Sequence, residues 1–171
     1  MKEMIKYGLI LALICIIASG LLACVNTLTK PLIIRQAQLE EEASLKAVFP
    51  QAETFQPIKK DETIIYYQAL DKSGIRQGVV FKASGKGYSG VVEAMAGMFE
   101  DGTIAAIKVV AQNETPGLGS KITEARFLEQ FSNKKDLSGI QAISGATISS
   151  RAVINAVKEK AAEIRGLIKN E

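Results

Sequence analysis

Residues 7 to 25, YGLILALICIIASGLLACV, form an unbroken run of nineteen positions without a charge. Roughly 20 apolar helical residues cross a hydrocarbon layer of about 30 Å, so this run predicts a membrane-spanning helix. From 30 to 48 the pattern changes to good helix formers, with Ile34, Ala37, Leu45 and Val48 at near-helical spacing and Glu40, Glu41 and Glu42 between them. It predicts a second helical stretch leading out of the membrane, its acidic triplet a solvated face. Strand-like runs follow at 63–70 (TIIYYQAL), 78–83 (GVVFKA), 90–99 (GVVEAMAGMF) and 103–110 (TIAAIKVV). The last two are joined through Asp101-Gly102, a strong hairpin signal because a primed turn needs positive φ angles that Asp tolerates and Gly adopts freely. Helical spacing returns at 121–131, with Ile122, Ala125, Phe127, Leu128 and Phe131 on one face. It returns again from about 149 to 168, where Val153, Val157, Ala161, Ile164 and Ile168 form the stripe. The order of elements predicts an α+β fold: an antiparallel sheet with packed helices, preceded by one N-terminal transmembrane helix. The expected division is an anchor at 1–29, a connecting helix at 30–50 and a soluble domain at 51–171.

The apolar run exceeds the roughly 7 to 15 residues of a cleaved signal peptide, which favours a retained anchor. Leu21-Leu22-Ala23-Cys24 also resembles a bacterial lipoprotein cleavage site, in which acyl chains on Cys24 would replace the helix. Flanking charges, Lys2 and Lys6 before the run against Lys30 and Arg35 after it, nearly balance. A short N-terminal tail ahead of a large C-terminal domain nevertheless fits a signal-anchor layout, with the domain on the external or periplasmic side of the cytoplasmic membrane.

Composition narrows the chemistry sharply. Both cysteines, Cys15 and Cys24, lie in the apolar run, and the chain has no histidine. The soluble part therefore lacks the thiolates of an iron–sulfur cluster, the usual ligands of zinc and the base of a Ser-His-Asp triad. A disulfide framework is also excluded. Net charge is +3, with no basic cluster interleaved with aromatics, so no nucleic-acid surface is expected. No catalytic or metal-ligating set emerges, and what remains is hydroxyls, carboxylates, amines or a bound cofactor.

Two loops are candidates. Ser144-Gly145-Ala146-Thr147, followed by Ile148-Ser149-Ser150, gathers hydroxyls where the last helix begins with unpaired N–H groups, a setting that suits a phosphate. Gly145 and Ala146 leave room for a bulky ligand near the backbone. On position alone, Thr147 or Ser149 could equally serve as a helix cap. Asn113-Glu114-Thr115-Pro116-Gly117-Leu118-Gly119 joins a strand to a helix and combines a carboxylate, a hydroxyl and a leucine, a composition common in ligand-binding loops. A third loop, Gly85-Lys86-Gly87-Tyr88-Ser89-Gly90, matches no phosphate-binding fingerprint and by itself indicates only a turn.

Taken together and in this order, GKGYSG, NETPGLGSKI and AISGATISS resemble the FMN-binding domain of the G subunit of Rnf electron transport complexes. The same segments resemble its relative, the C subunit of the sodium-pumping NADH:quinone reductase. The resemblance covers nearly the whole chain. It implies that Thr147 accepts a phosphoester bond to FMN, made by a separate flavin transferase, with Ser144, Gly145 and Ala146 as the docking loop. Glu114, Thr115, Leu118 and Gly119 match the segment that lies along the isoalloxazine ring, Leu118 as its apolar contact, and Tyr88 and Lys121 are further candidates. One departure stands out: relatives commonly carry an acidic residue six positions before the acceptor threonine, where this chain has Gln141.

The implied role is an electron relay in a membrane-bound, ion-translocating ferredoxin:NAD oxidoreductase, beside other flavin- or iron–sulfur-bearing subunits, and not catalytic alone. A tethered flavin would give redox activity to a domain without His or Cys, since it accepts two electrons and releases them singly. Two other readings use the same residues: a stand-alone membrane-tethered flavoprotein reducing an external acceptor, and an anchored binding module without redox activity.

Overall fold

The computed structural model describes residues 2–60 and 63–169. The chain divides into two compact units, residues 1–41 and 42–171. The first is helical throughout its described length and belongs to helix α1, which runs without interruption over Lys2–Val48. Over residues 3–40 the apolar side chains, among them Leu9, Leu13, Ile16, Leu21 and Leu28, are exposed. This is the one described helix long and apolar enough to cross a membrane. Pro31 lies inside α1 although it cannot donate to the carbonyl four residues back. Thr27 and Thr29 just before it donate their hydroxyls to the carbonyls of Ala23 and Val25, at 2.8 and 2.9 Å.

The second unit is built on five antiparallel strands in the order β1-β2-β3-β4-β5: β1 Thr54–Lys60, β2 Thr63–Leu70, β3 Arg76–Lys86, β4 Val91–Phe99 and β5 Ile104–Ala111. This is the expected antiparallel α+β architecture. Strand β1 is not legible in the pattern, because Pro57 interrupts it and none of its residues is fully buried. It is an edge strand, the one place in a sheet where proline is readily accepted.

Alternation along the strands supplies two apolar faces. Val79, Phe81 and Ala83 of β3 and Val92, Ala94, Ala96 and Met98 of β4 face one side, which is covered by helix α3, Thr147–Ile168, through Val153, Val157, Ala161 and Ile164. Val80 and Met95 face the other side, where Leu45, Val48 and Phe49 at the end of α1 complete a smaller core with Tyr67 and Ala69. Gly97 makes that second contact possible, since a Cβ there would lie 2.4 Å from the Val48 carbonyl oxygen.

Two elements depart from expectation. The helix anticipated over 121–131 is instead a 3-10 turn at Gly119–Thr123, one helical turn, α2, at Ala125–Leu128 and a second 3-10 turn at Glu129–Phe131. Glu124, in an extended conformation with ψ 141°, interrupts the run. A single helix would set Ile122 and Phe131 on opposite sides, nine residues being half a turn out of phase, whereas the break lets Ile122, Phe127 and Phe131 enter one core. The turn after β4 is also not primed: only Gly102 takes a positive φ, 85°. Its N–H bonds to the Phe99 carbonyl at 2.9 Å, and the Phe99 N–H bonds to the Thr103 carbonyl at 2.9 Å. This is a three-residue loop with one left-handed glycine, and Asp101 secures it by accepting from the N–H and hydroxyl of Thr103 at 2.9 and 2.7 Å.

Candidate functional site

Three loops converge at the start of α3: the β3–β4 turn at 86–90, the segment leaving β5 at 112–119, and the entry to α3 at 143–149. Between them lies a cavity of about 390 Å³ lined by Tyr88, Glu114, Thr115, Leu118 and Gly119 from the first two loops and by Gly145, Ala146, Thr147, Ile148 and Ser149 from the third. Its volume falls within the roughly 300–1,000 Å³ typical of small-molecule sites.

What joins the loops is one carboxylate. Glu114 is 5% exposed and is the single buried acidic or basic side chain among the described residues. It accepts the backbone N–H groups of Tyr88, Ser89 and Gly90 at 3.3, 3.0 and 3.3 Å and the hydroxyl of Ser149 at 2.6 Å. Burial pushes its pKa up, but the bonds from Ser149, Ser89, Gly90 and Tyr88 outweigh this, so the carboxyl lies below its ordinary range and is ionised at neutral pH. Two glycines make the approach possible. A Cβ on Gly87 would lie 2.4 Å from Glu114 Oε1, and one on Gly119 would lie 2.5 Å from Glu114 Oε2 and 2.8 Å from Ser149 Oγ.

The start of α3 is open. Its N-cap is Ala146, with no side-chain cap, so neither Thr147 nor Ser149 plays the capping role considered for them. Gly145, at φ 80°, turns the chain into the helix, a Cβ there would meet nothing within 4 Å, and the Ala146 N–H bonds back to the Ile143 carbonyl at 3.0 Å. Ser150 braces this entry, accepting from the Ile143 N–H at 3.1 Å and donating to the Ala146 carbonyl at 2.8 Å. Thr147 is the first helical residue and is exposed at the cavity. Around it stand three exposed apolar side chains, Tyr88, Leu118 and Ile148, each more than half exposed.

Of the residues named from the sequence, Thr147, Gly145, Ala146, Glu114, Thr115, Leu118, Gly119 and Tyr88 share this cavity. Ser144 and Lys121 line a neighbouring depression with Arg126, Gln130 and Gln141. There Gln141 is tied to Gln130 through its backbone, its N–H bonding to Gln130 Oε1 at 2.9 Å and its carbonyl accepting from Gln130 Nε2 at 3.3 Å. The sequence singled out neither Gly87 nor Ile148 as a site residue, and Ser149 only as one of the hydroxyls gathered at the helix start. Ile148 did carry a signal: it sits off the Val153-Val157-Ala161-Ile164 stripe, so its apolar side chain has no place in the core.

The chemistry this arrangement offers is binding. A hydroxyl and a helix start with unpaired donors suit a phosphate, and the apolar rim suits a flat ring system.

Comparison with known proteins agrees with this geometry. Residues 87–162 match the FMN-binding domain family, and residues 1–48 match the RnfG N-terminal region. The chain is 36% identical to the G subunit of the ion-translocating oxidoreductase complex of Methanosarcina acetivorans, over 91% of this chain and 92% of that protein. It is 30% identical to the G subunit of the proton-translocating ferredoxin:NAD(+) oxidoreductase complex of Clostridium ljungdahlii, over 90% and 88%. For the corresponding protein of Escherichia coli K12 the figures are 31%, 92% and 89%. The crystal structure of Shewanella oneidensis NqrC, at 23% identity, superposes with a TM-score of 0.50 over 70% of this chain and 74% of that one, a likeness of fold. With family matches over its N-terminal helix and over residues 87–162, and relatives of this identity along nearly its whole length, the chain belongs to the RnfG family, the G subunits of Rnf complexes.

Proposed function

We propose that this chain is an electron-relay component of an ion-translocating ferredoxin:NAD oxidoreductase, carrying FMN joined through its phosphate to Oγ1 of Thr147. The observation that carries the reading is the placement of Thr147: an exposed hydroxyl at the uncapped start of α3, on the wall of a cavity with an apolar rim. Unpaired N–H groups at a helix start favour a phosphate, so the attachment point and the phosphate site coincide. Leu118 and Tyr88 would contact the ring, and Thr115, Gly119, Gly145 and Ala146 would leave room for it. Ser144 and Lys121, in the adjoining depression, would meet the flavin transferase that makes the bond. When bound, FMN supplies one- and two-electron transfer, which no side chain of this domain can.

Helix α1 would hold the domain at the cytoplasmic membrane, on its external side, within reach of the other flavin- or iron–sulfur-bearing subunits of the complex. Tethering matters there, because a covalent bond keeps the cofactor where no free flavin pool would replace it.

Mass spectrometry of the native peptide containing Thr147 tests the attachment: the expected result is an added mass of FMN less one water. Thr147→Ala should abolish in-gel flavin fluorescence. An unmodified Thr147 in protein from its own host, or fluorescence that survives the substitution, would overturn it.

A further inference from the structure

The resemblance implies a place for Glu114 near the ring without saying what its carboxylate does there. Its oxygens are already engaged by four donors of the protein, three from the 88–90 loop and one from the first turn of α3. It is therefore poorly placed to recognise a ligand by direct bonding. It remains a buried anion on the wall of the cavity. We propose that Glu114, held in place by the positioning residue Ser149, is a fixed negative charge that lowers the reduction potential of the flavin in this cavity. The proposal rests on the reading of this cavity as the flavin site.

The physical basis is charge. Electrons arriving in the cavity add negative charge beside an anion that water screens poorly, so the reduced cofactor is disfavoured relative to the oxidised one. Ser149 matters because its 2.6 Å bond links residues 35 positions apart and fixes the carboxylate relative to Thr147, two residues before it. The structure also supplies a clean substitution. Glu114→Gln keeps the shape, and the Ser149 hydroxyl can rotate to accept from the new amide, so charge is lost with one weak contact, to the Tyr88 N–H. Ser149→Ala does the reverse, keeping the charge while removing the bond that positions it.

The test uses the full chain in mild detergent, loaded with flavin, with the FMN mass on Thr147 verified. Midpoint potentials are measured by dithionite titration with mediator dyes, and amide exchange of residues 86–91 by mass spectrometry. Glu114→Gln should shift the potential to more positive values while exchange at 89 and 90 stays slow. Ser149→Ala should speed exchange across 88–90 and give a positive shift that grows as pH falls, since the carboxylate is then more easily protonated. An unchanged potential in Glu114→Gln overturns the proposal. If that variant does not fold, a Ser149→Ala chain with unchanged exchange and a potential that tracks the unsubstituted chain at every pH overturns it. Absence of the FMN mass from the unsubstituted chain would defeat the covalent attachment instead, and the same potentials would then be read on chain loaded with free FMN.

Discussion

Replacing Gly119 by alanine would place a methyl carbon 2.5 Å from Glu114 Oε2, 2.8 Å from Glu114 Cβ and 2.8 Å from Ser149 Oγ. None of these atoms is the free end of a flexible side chain: Glu114 is held by four donors and Ser149 sits in the first turn of α3. The methyl group is accommodated only by lengthening or breaking the Ser149–Glu114 bond or by displacing the 114–119 segment. A hydrogen bond to a charged group contributes about 1.5–3 kcal/mol, and overpacking costs about 1–3 kcal/mol. A loss of about 2–3 kcal/mol is therefore expected, which for a domain of this size lowers Tm by roughly 6–15 °C. The chain has no tryptophan, but Tyr66 and Tyr67 are buried on the sheet, so tyrosine fluorescence reports the melting of the domain. Gly139→Ala is the control, because a Cβ there meets nothing within 4 Å. A Gly119→Ala chain melting within about 2 °C of the control would refute the packing argument.

Thr147→Ala should leave stability within about 0.5 kcal/mol of the original in unmodified protein, since no cap bond is lost; a larger drop in a urea melt would show a structural role for the hydroxyl. Gly97→Ala should destabilise by about 1–3 kcal/mol, because the new methyl would meet the Val48 carbonyl at 2.4 Å, and the same melt checks it. Gly166→Ala, in α3 with nothing nearby, should stabilise by about 0.5–1 kcal/mol. Acid should weaken the fold. Glu114 lies below its ordinary pKa despite its burial, and Asp71, Asp101 and Asp136 are lowered chiefly by bonds from the Ile75 N–H, the Thr103 N–H and the Ser138 hydroxyl. Carboxyls with folded values below the unfolded ones stabilise fully above the unfolded pKa and lose that contribution as pH falls through the folded one. Denaturation midpoints should thus be level above about pH 5 and fall below about pH 4. Glu114→Gln should flatten part of that fall.

The elements legible in the sequence are those whose pattern is fixed by burial on a regular face. Strands β2 to β5 alternate or run apolar because they lie between two cores, and α3 repeats every three to four residues because one side of it covers the sheet. What escapes is decided by geometry that no local pattern carries. Pro57 is tolerable only because β1 lies at an edge, a property of strand order. The 121–131 segment reads as one helix, yet Ile122 and Phe131 must enter the same core from opposite phases. At the site, Thr147, Glu114 and Leu118 are accessible through their loops and the family resemblance. The bond from Ser149 to Glu114 is not, since it joins segments that only the fold brings together. For the same reason Gly87 reads merely as part of a turn, although its missing side chain is what admits the carboxylate.

Each strand of the sheet pairs with its neighbour in the chain. Such an arrangement can nucleate hairpin by hairpin from the N-terminal side, with little loop-closure entropy to overcome at any step. The cavity cannot form that way. One wall lies in the β3–β4 turn and the opposite wall at the head of α3, which leaves the ribosome only after all five strands. Completion of the cavity thereby waits for α3, and a chain cut before that helix lacks one of its walls.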